Sequence, residues 1–199
     1  MSDCTLEHPQ TAAATELAVE RALRLRSRTV GALVMAAFGG LWAIVGAQRP
    51  GGGAPADACL VVAAMLLASG LGLLRNHQRP AAPLPSALAE RRRRVGRLFL
   101  WTSIGEGLGM LVAVSVVVDL GHPQWQAAAV MAVVGLHFLP LAWAFRYRPH
   151  LVTGASLGTW ALAYPWLFDA GATSAAGPLG AAVLLLASSA WALRSVHLA

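Results

Sequence analysis

Glu106 is the one acidic side chain that falls well inside an apolar run of this sequence, and His137 falls at a matching place in the next run. At 1.5 Å per helical residue, Glu106 lies about eight residues, roughly 12 Å, from the arginine-bearing end of its run. His137 lies at nearly the same depth in the following run, which must return antiparallel, so the two can touch if the helices are rotated suitably. An ionisable group in hydrocarbon is costly and finds a partner or a water-filled cavity. A carboxyl beside an imidazole can share one proton and pass it across, the chemistry a proton-coupled carrier needs. Ser103 and Thr159 stand at similar depth and join Glu106 and His137 as the candidate substrate or proton site. The competing role is structural: a neutral Glu106 making one interhelical hydrogen bond that pins its hairpin. One Glu and one His are too few ligands for a metal.

Helices must carry these residues through lipid. Of the residues, 57% are hydrophobic and 12% charged, with a mean hydropathy of +0.60, too little polar surface to cover a soluble globule of this size. Six stretches approach the ~20 apolar residues that a crossing takes: 30–47, 56–74, 98–120, 126–145, 151–168 and 176–193. The expected fold is all-α, six transmembrane helices arranged as three helical hairpins. Residues 1–29 precede the transmembrane domain 30–199, and 11–28 has acidic residues early and arginines late, the order the helix dipole favours. Acidic Asp3, Glu7, Glu16 and Glu20 distinguish this segment from the basic start of a cleavable signal peptide, so the first span is expected to remain as an anchor. Pro140 and Pro165 fall inside the fourth and fifth spans, where each frees a carbonyl and predicts a kink.

All fifteen basic residues are arginine, and their placement orients the chain. Six crossings put fourteen on one side and only Arg49 on the other, which predicts a multi-pass inner (plasma) membrane protein with both termini cytoplasmic. The basic loop 75–97 is the longest cytoplasmic connection. After the Pro-rich stretch 80–85, Ser86 is a fitting N-cap for a short basic helix at the interface. Arg91, Arg92, Arg93 and Arg94 are candidate contacts for anionic lipid, against the plainer reading that they only set orientation. The net charge of +6 is thus topology, and no nucleic-acid partner is expected, since no basic stretch interleaves with aromatics on a soluble domain.

The hairpins share features: an Asp- or Gly-bearing outer turn, and an arginine at the inner end of each even helix at Arg75, Arg146 and Arg194. Phe38-Gly39-Gly40, Ile104-Gly105-Glu106 and Leu157-Gly158-Thr159 can be laid over one another, as in a parallel repeat about an axis along the membrane normal. Small residues at Gly39-Gly40, Gly105/Gly109 and Gly154/Gly158 offer faces for close helix packing. Tryptophans near helix ends suit an interfacial belt. His8, His77, His122, His150 and His197 fall in loops or tails and read as solvated. Cys4 and Cys59 fall on opposite sides of the membrane, without metal spacing.

Neither H-E-x-x-H nor a pair of intramembrane carboxylates is present, so enzymatic activity and a cofactor are not expected. Two functions remain: a small-solute or proton-coupled transporter or channel, and a non-transporting accessory or assembly protein binding a partner protein or anionic lipid. A pathway through so small a monomer is narrow, so homo-oligomers fit the first.

Overall fold

A computed structural model of the chain describes residues 9–76, 86–145 and 147–198. Among them the fold is all-α: α1 (Pro9–Ala47), α2 (Gly53–Asn76), α3 (Ser86–Asp119), α4 (Gln126–Phe145), α5 (Pro149–Leu167) and α6 (Ala176–His197), with 3-10 turns at Pro123–Trp125 and Gly171–Thr173. The Pro-rich stretch 80–85, Arg79, His77, Arg146, His8 and Cys4 lie outside the described residues. Five helices, α1, α2, α3, α4 and α6, are long and apolar enough to cross a bilayer. α5 is not among them, because His150, Thr153, Ser156, Thr159 and Tyr164 dilute its apolar character. It is held between α4 and α6 instead.

α1 and α3 run to 39 and 34 residues, well beyond the length of a crossing, and both surpluses lie on the arginine-rich side. α1 passes unbroken from Pro9 into its span, and α3 begins at Ser86 and carries Arg91, Arg92, Arg93 and Arg94 before its apolar part. Leu, Ala, Arg and Glu dominate both extensions, and all are good helix formers. At the opposite end each hairpin turns on a glycine with positive φ: Gly51 (77°), Gly121 (77°) and Gly171 (56°). At Gly121 the reason is visible. The Gly121 N–H bonds to Val118 O and the His122 N–H to Val117 O, the paired bonds of a Schellman cap that needs a left-handed residue between them.

The helices follow one another around the bundle in chain order, α1 on α2, α3 on α4, α4 on α5 and α5 on α6, with α6 returning to α1 in the most extensive packing of the molecule. α2 also touches α6, but α2 and α3 do not pack together along their lengths. The order of packing is therefore an open ring. Of the aligned glycines, a Cβ on Gly39 would strike Leu186 of α6, and the Gly158 backbone lies against Gly135 of α4, while a Cβ on Gly105 or on Gly158 itself would meet nothing within 4 Å.

One connected core joins α1, α4, α5 and α6 through residues such as Met35, Trp42, Met131, Phe138, Leu157 and Leu185. Trp42 departs from the interfacial belt: it is only 7% exposed, in the core, while Trp143, Trp166 and Trp191 are exposed. Trp160 donates to Gly177 O at 3.1 Å and lies over Gly180 of α6. Cys59 packs half-buried against the core. Arg49, the lone arginine at the outer end, donates to Ala172 O at 2.9 Å and ties the α1–α2 turn to the α5–α6 turn. Ser189, fully buried in α6, donates to Ala32 O of α1 at 2.8 Å. Replacing it by Ala is expected to lower stability by about 0.6 kcal/mol, the average for a side-chain hydrogen bond between membrane helices. A titration of folded protein with SDS checks this; a loss above about 2 kcal/mol would mean that Ser189 does more than make this bond.

Candidate functional site

The partly buried residues of α3 fall on one face, Ser103, Glu106, Gly109, Met110, Ala113 and Val117, at the three-to-four spacing of a helix that packs on one side only. That side meets α4. Gly109 sets a close approach: a Cβ there would sit 3.1 Å from Val133 Cγ1, so a larger residue would require Val133 to give way by a few tenths of an ångström. In the register of an antiparallel pair, one turn along each helix then places Glu106 opposite His137. Two turns further toward the arginine side, Phe99 stands against Phe145, with ring centroids 6.5 Å apart.

Glu106 Oε2 lies 3.5 Å from His137 Nδ1, and the two side chains are 16% and 8% exposed. The pair is an ion pair when the imidazole is protonated. Even so, Nδ1 has no hydrogen-bond partner among the described residues: the carboxylate stands close by, outside bonding geometry. Buried nitrogens are bonded in the great majority of cases, so this contact is poised rather than locked.

Of the four residues that the sequence singles out, the structure brings Glu106 and His137 together. Ser103 shares their seam, one turn from Glu106 on the α4-facing side of α3. Thr159 does not belong. It is exposed on α5, on the side of that helix opposite Leu157 and Ala161, which are buried. Depth was legible in the sequence, but rotation about the helix axis decides which face a residue occupies. The polar link that α5 does make is Thr153 Oγ1 to Ser188 Oγ of α6 at 2.8 Å.

His150 is a residue that the sequence reading misplaces as a solvated loop histidine. It stands in the first turn of α5 and is half-buried among rings, 5.6 Å from Phe138, 6.2 Å from Phe145 and 5.0 Å from Tyr147 between centroids. The signal was Pro149, which favours the first position of a helix and so draws the next residue into the helical turn. The Tyr147 ring in turn lies under the Arg28 guanidinium, 5.3 Å from its centroid, and the Tyr147 hydroxyl is buried without a partner among the described residues. His137, Phe138, His150, Tyr147 and Arg28 thus form a continuous line of contacts from the pair to the arginine-rich surface.

The other side of α4 is held by glycine. A Cβ on Gly135 would lie 2.9 Å from both Gly154 O and Gly158 N, and one on Gly154 would lie 2.6 Å from Gly135 O. Backbone therefore meets backbone, and α4 carries His137 on a helix fixed against α5. Among the described residues no three His, Cys, Asp or Glu side chains converge, so Glu106 and His137 offer two ligands where a metal needs more.

Fold and site together define an all-α, multi-pass membrane protein with an acid and a base paired inside the apolar layer. No protein-family model, no curated protein and no solved structure matches the chain.

Proposed function

We propose that this chain is a proton-coupled small-solute transporter or channel, in which Glu106 and His137 hold the exchanging proton and Ser103 is a neighbouring polar contact. The observation that carries the reading is the 3.5 Å approach of the two side chains without a hydrogen bond between them. A structural pin is served best by a formed bond, whereas a relay is served by two groups that can gain and lose a proton between them. α3 suits the moving part. It packs on α4 alone among the spanning helices, and no residue of its apolar stretch is fully buried, so a tilt of α3 makes or breaks the pair with little else disturbed. His150 and the rings beside it extend the path toward the arginine-rich side. By the positive-inside rule the proposed arrangement puts that side in the cytoplasm, in an inner (plasma) membrane. Several copies in one assembly suit so small a bundle. Purified protein in vesicles with an imposed pH gradient tests the reading: Glu106→Gln is expected to abolish flux.

A second reading, a non-transporting accessory protein, is favoured by the bare flank of α3 and the gap between α2 and α3, which a helix of a partner protein would fill. It predicts a partner that co-purifies in mild detergent and is lost when Arg91, Arg92, Arg93 and Arg94 are neutralised. Retention of the partner by that variant, or no partner at all, counts against it.

A further inference from the structure

The arginines before the first and third spans are not spread evenly over the surface. On α1, Arg21, Arg24 and Arg28 lie along one face with Glu20 and border a cleft of about 330 Å³. On α3, Ser86, Arg91 and Arg94 line a second cleft of about 470 Å³. One arginine from each row converges on a single atom. Glu20 Oε1 receives Arg24 Nη2 of its own helix at 3.2 Å and Arg91 Nη1 from across the gap at 3.7 Å. α1 and α3 do not otherwise pack along their lengths, so this oxygen is where the two arginine rows are drawn together. Glu90 is the acidic side chain that lines the α3 cleft. Arg24 and Arg91 remain 64% and 61% exposed, so most of their donors are open to an outside acceptor.

Orientation alone needs arginines on this side of the membrane but gives no reason for two from different helices to converge on a single oxyanion. We propose that the junction is a binding site for a phosphate group, held between Arg24 of α1 and Arg91 of α3, with Arg94 and Ser86 as further donors and Glu20 as a built-in competitor for the same guanidinium groups. Guanidinium forks match phosphate oxygens, and a phosphate carries more charge and more acceptors than the carboxylate that occupies the place now. The site lies at headgroup depth, because Arg28 and Arg94 stand within a turn or so of where the apolar runs 30–47 and 98–120 begin. Phosphate chemistry is common to an anionic lipid headgroup and to a soluble phosphate compound, and the two are separated by experiment. This inference does not depend on the proton reading of Glu106 and His137.

The test uses the full chain in nanodiscs. Phosphatidylglycerol retained from a mixture with phosphatidylcholine is measured by mass spectrometry, and inorganic pyrophosphate binding is measured by calorimetry in pure phosphatidylcholine discs. The double variant Arg24→Gln/Arg91→Gln is expected to weaken binding about tenfold or more, because it removes both guanidinium contacts to the phosphate. Arg92→Gln/Arg93→Gln removes the same charge from the same region, away from the junction, so it loses only the diffuse attraction and is expected to weaken binding clearly less than the junction variant. Glu20→Gln, which frees both arginines, is expected to tighten binding several-fold, a gain that misfolding cannot mimic. This pattern with phosphatidylglycerol assigns a lipid headgroup, and the same pattern with pyrophosphate alone assigns a soluble phosphate compound. Equal weakening by the two double variants, no gain from Glu20→Gln, or binding of neither probe overturns the proposal.

Discussion

Vesicles containing Glu106→Gln are expected to lose at least about nine-tenths of their proton-coupled flux, while the yield of folded protein stays near that of the unaltered chain. Glutamine keeps the shape of the carboxyl and can still donate or accept a hydrogen bond, so an interhelical bond survives the change; only the ability to take and release a proton is removed. The surroundings make this distinction usable. Glu106 meets His137 at 3.5 Å on a seam fixed by Gly109 against Val133, so a glutamine of equal volume fits without moving either helix. The structural alternative predicts that flux, if present, is kept along with stability, because the glutamine preserves the interhelical contact. His137→Gln should reproduce the loss of flux, because both members of a pair that shares one proton are needed. Undiminished flux in Glu106→Gln would falsify the transport mechanism and leave the accessory reading ahead.

The largest effect on the fold is expected at Gly135. Valine there places a Cβ 2.9 Å from two backbone atoms of α5, Gly154 O and Gly158 N, before its methyl groups are counted. Backbone cannot rotate away as a side chain can, so α4 must separate from α5. Overpacking of this kind costs about 1–3 kcal/mol when side chains can yield, and more when they cannot. We expect a loss of about 3 kcal/mol or more, read from helical signal during SDS unfolding. Gly105→Val is the matched control. It sits at a comparable depth in a spanning helix with nothing within 4 Å of its Cβ, so its effect should stay under about 1 kcal/mol, the scale of helix propensity. Equal losses at the two positions would mean that the α4–α5 crossing is not the tight contact described. The displacement should also reach function, because His137 stands two residues from Gly135 on the same helix.

Much of the architecture follows from one-dimensional properties of the chain. Apolar runs of about 20 residues, interrupted by turns, give helices in lipid because no other open structure satisfies the backbone there. The limits of the outer turns follow from Gly51, Gly121 and Gly171, where the chain must adopt a left-handed conformation. Equal depth of Glu106 and His137 is likewise a matter of counting residues from the arginine-bearing ends. α5 is the element that counting overstates: its apolar character is too diluted to mark a crossing by itself, and its place comes from α4 and α6 on either side.

Rotation and neighbourhood belong to tertiary structure, because helical periodicity fixes which residues share a face but not which way that face turns. Glu106 faces α4 since Gly109 admits Val133 there, whereas Thr159, at similar depth, is turned outward because Leu157 and Ala161 take the packed side of α5. His150 looks like a loop residue in the sequence and is enclosed by rings in space, because Pro149 starts a helix that lays it against α4. The open junction between α2 and α3 has no counterpart in the sequence, where the three hairpins resemble one another. Composition determined that this chain lives in lipid and where it turns; the close approach of particular glycines determined which helices meet and therefore which polar residues find each other.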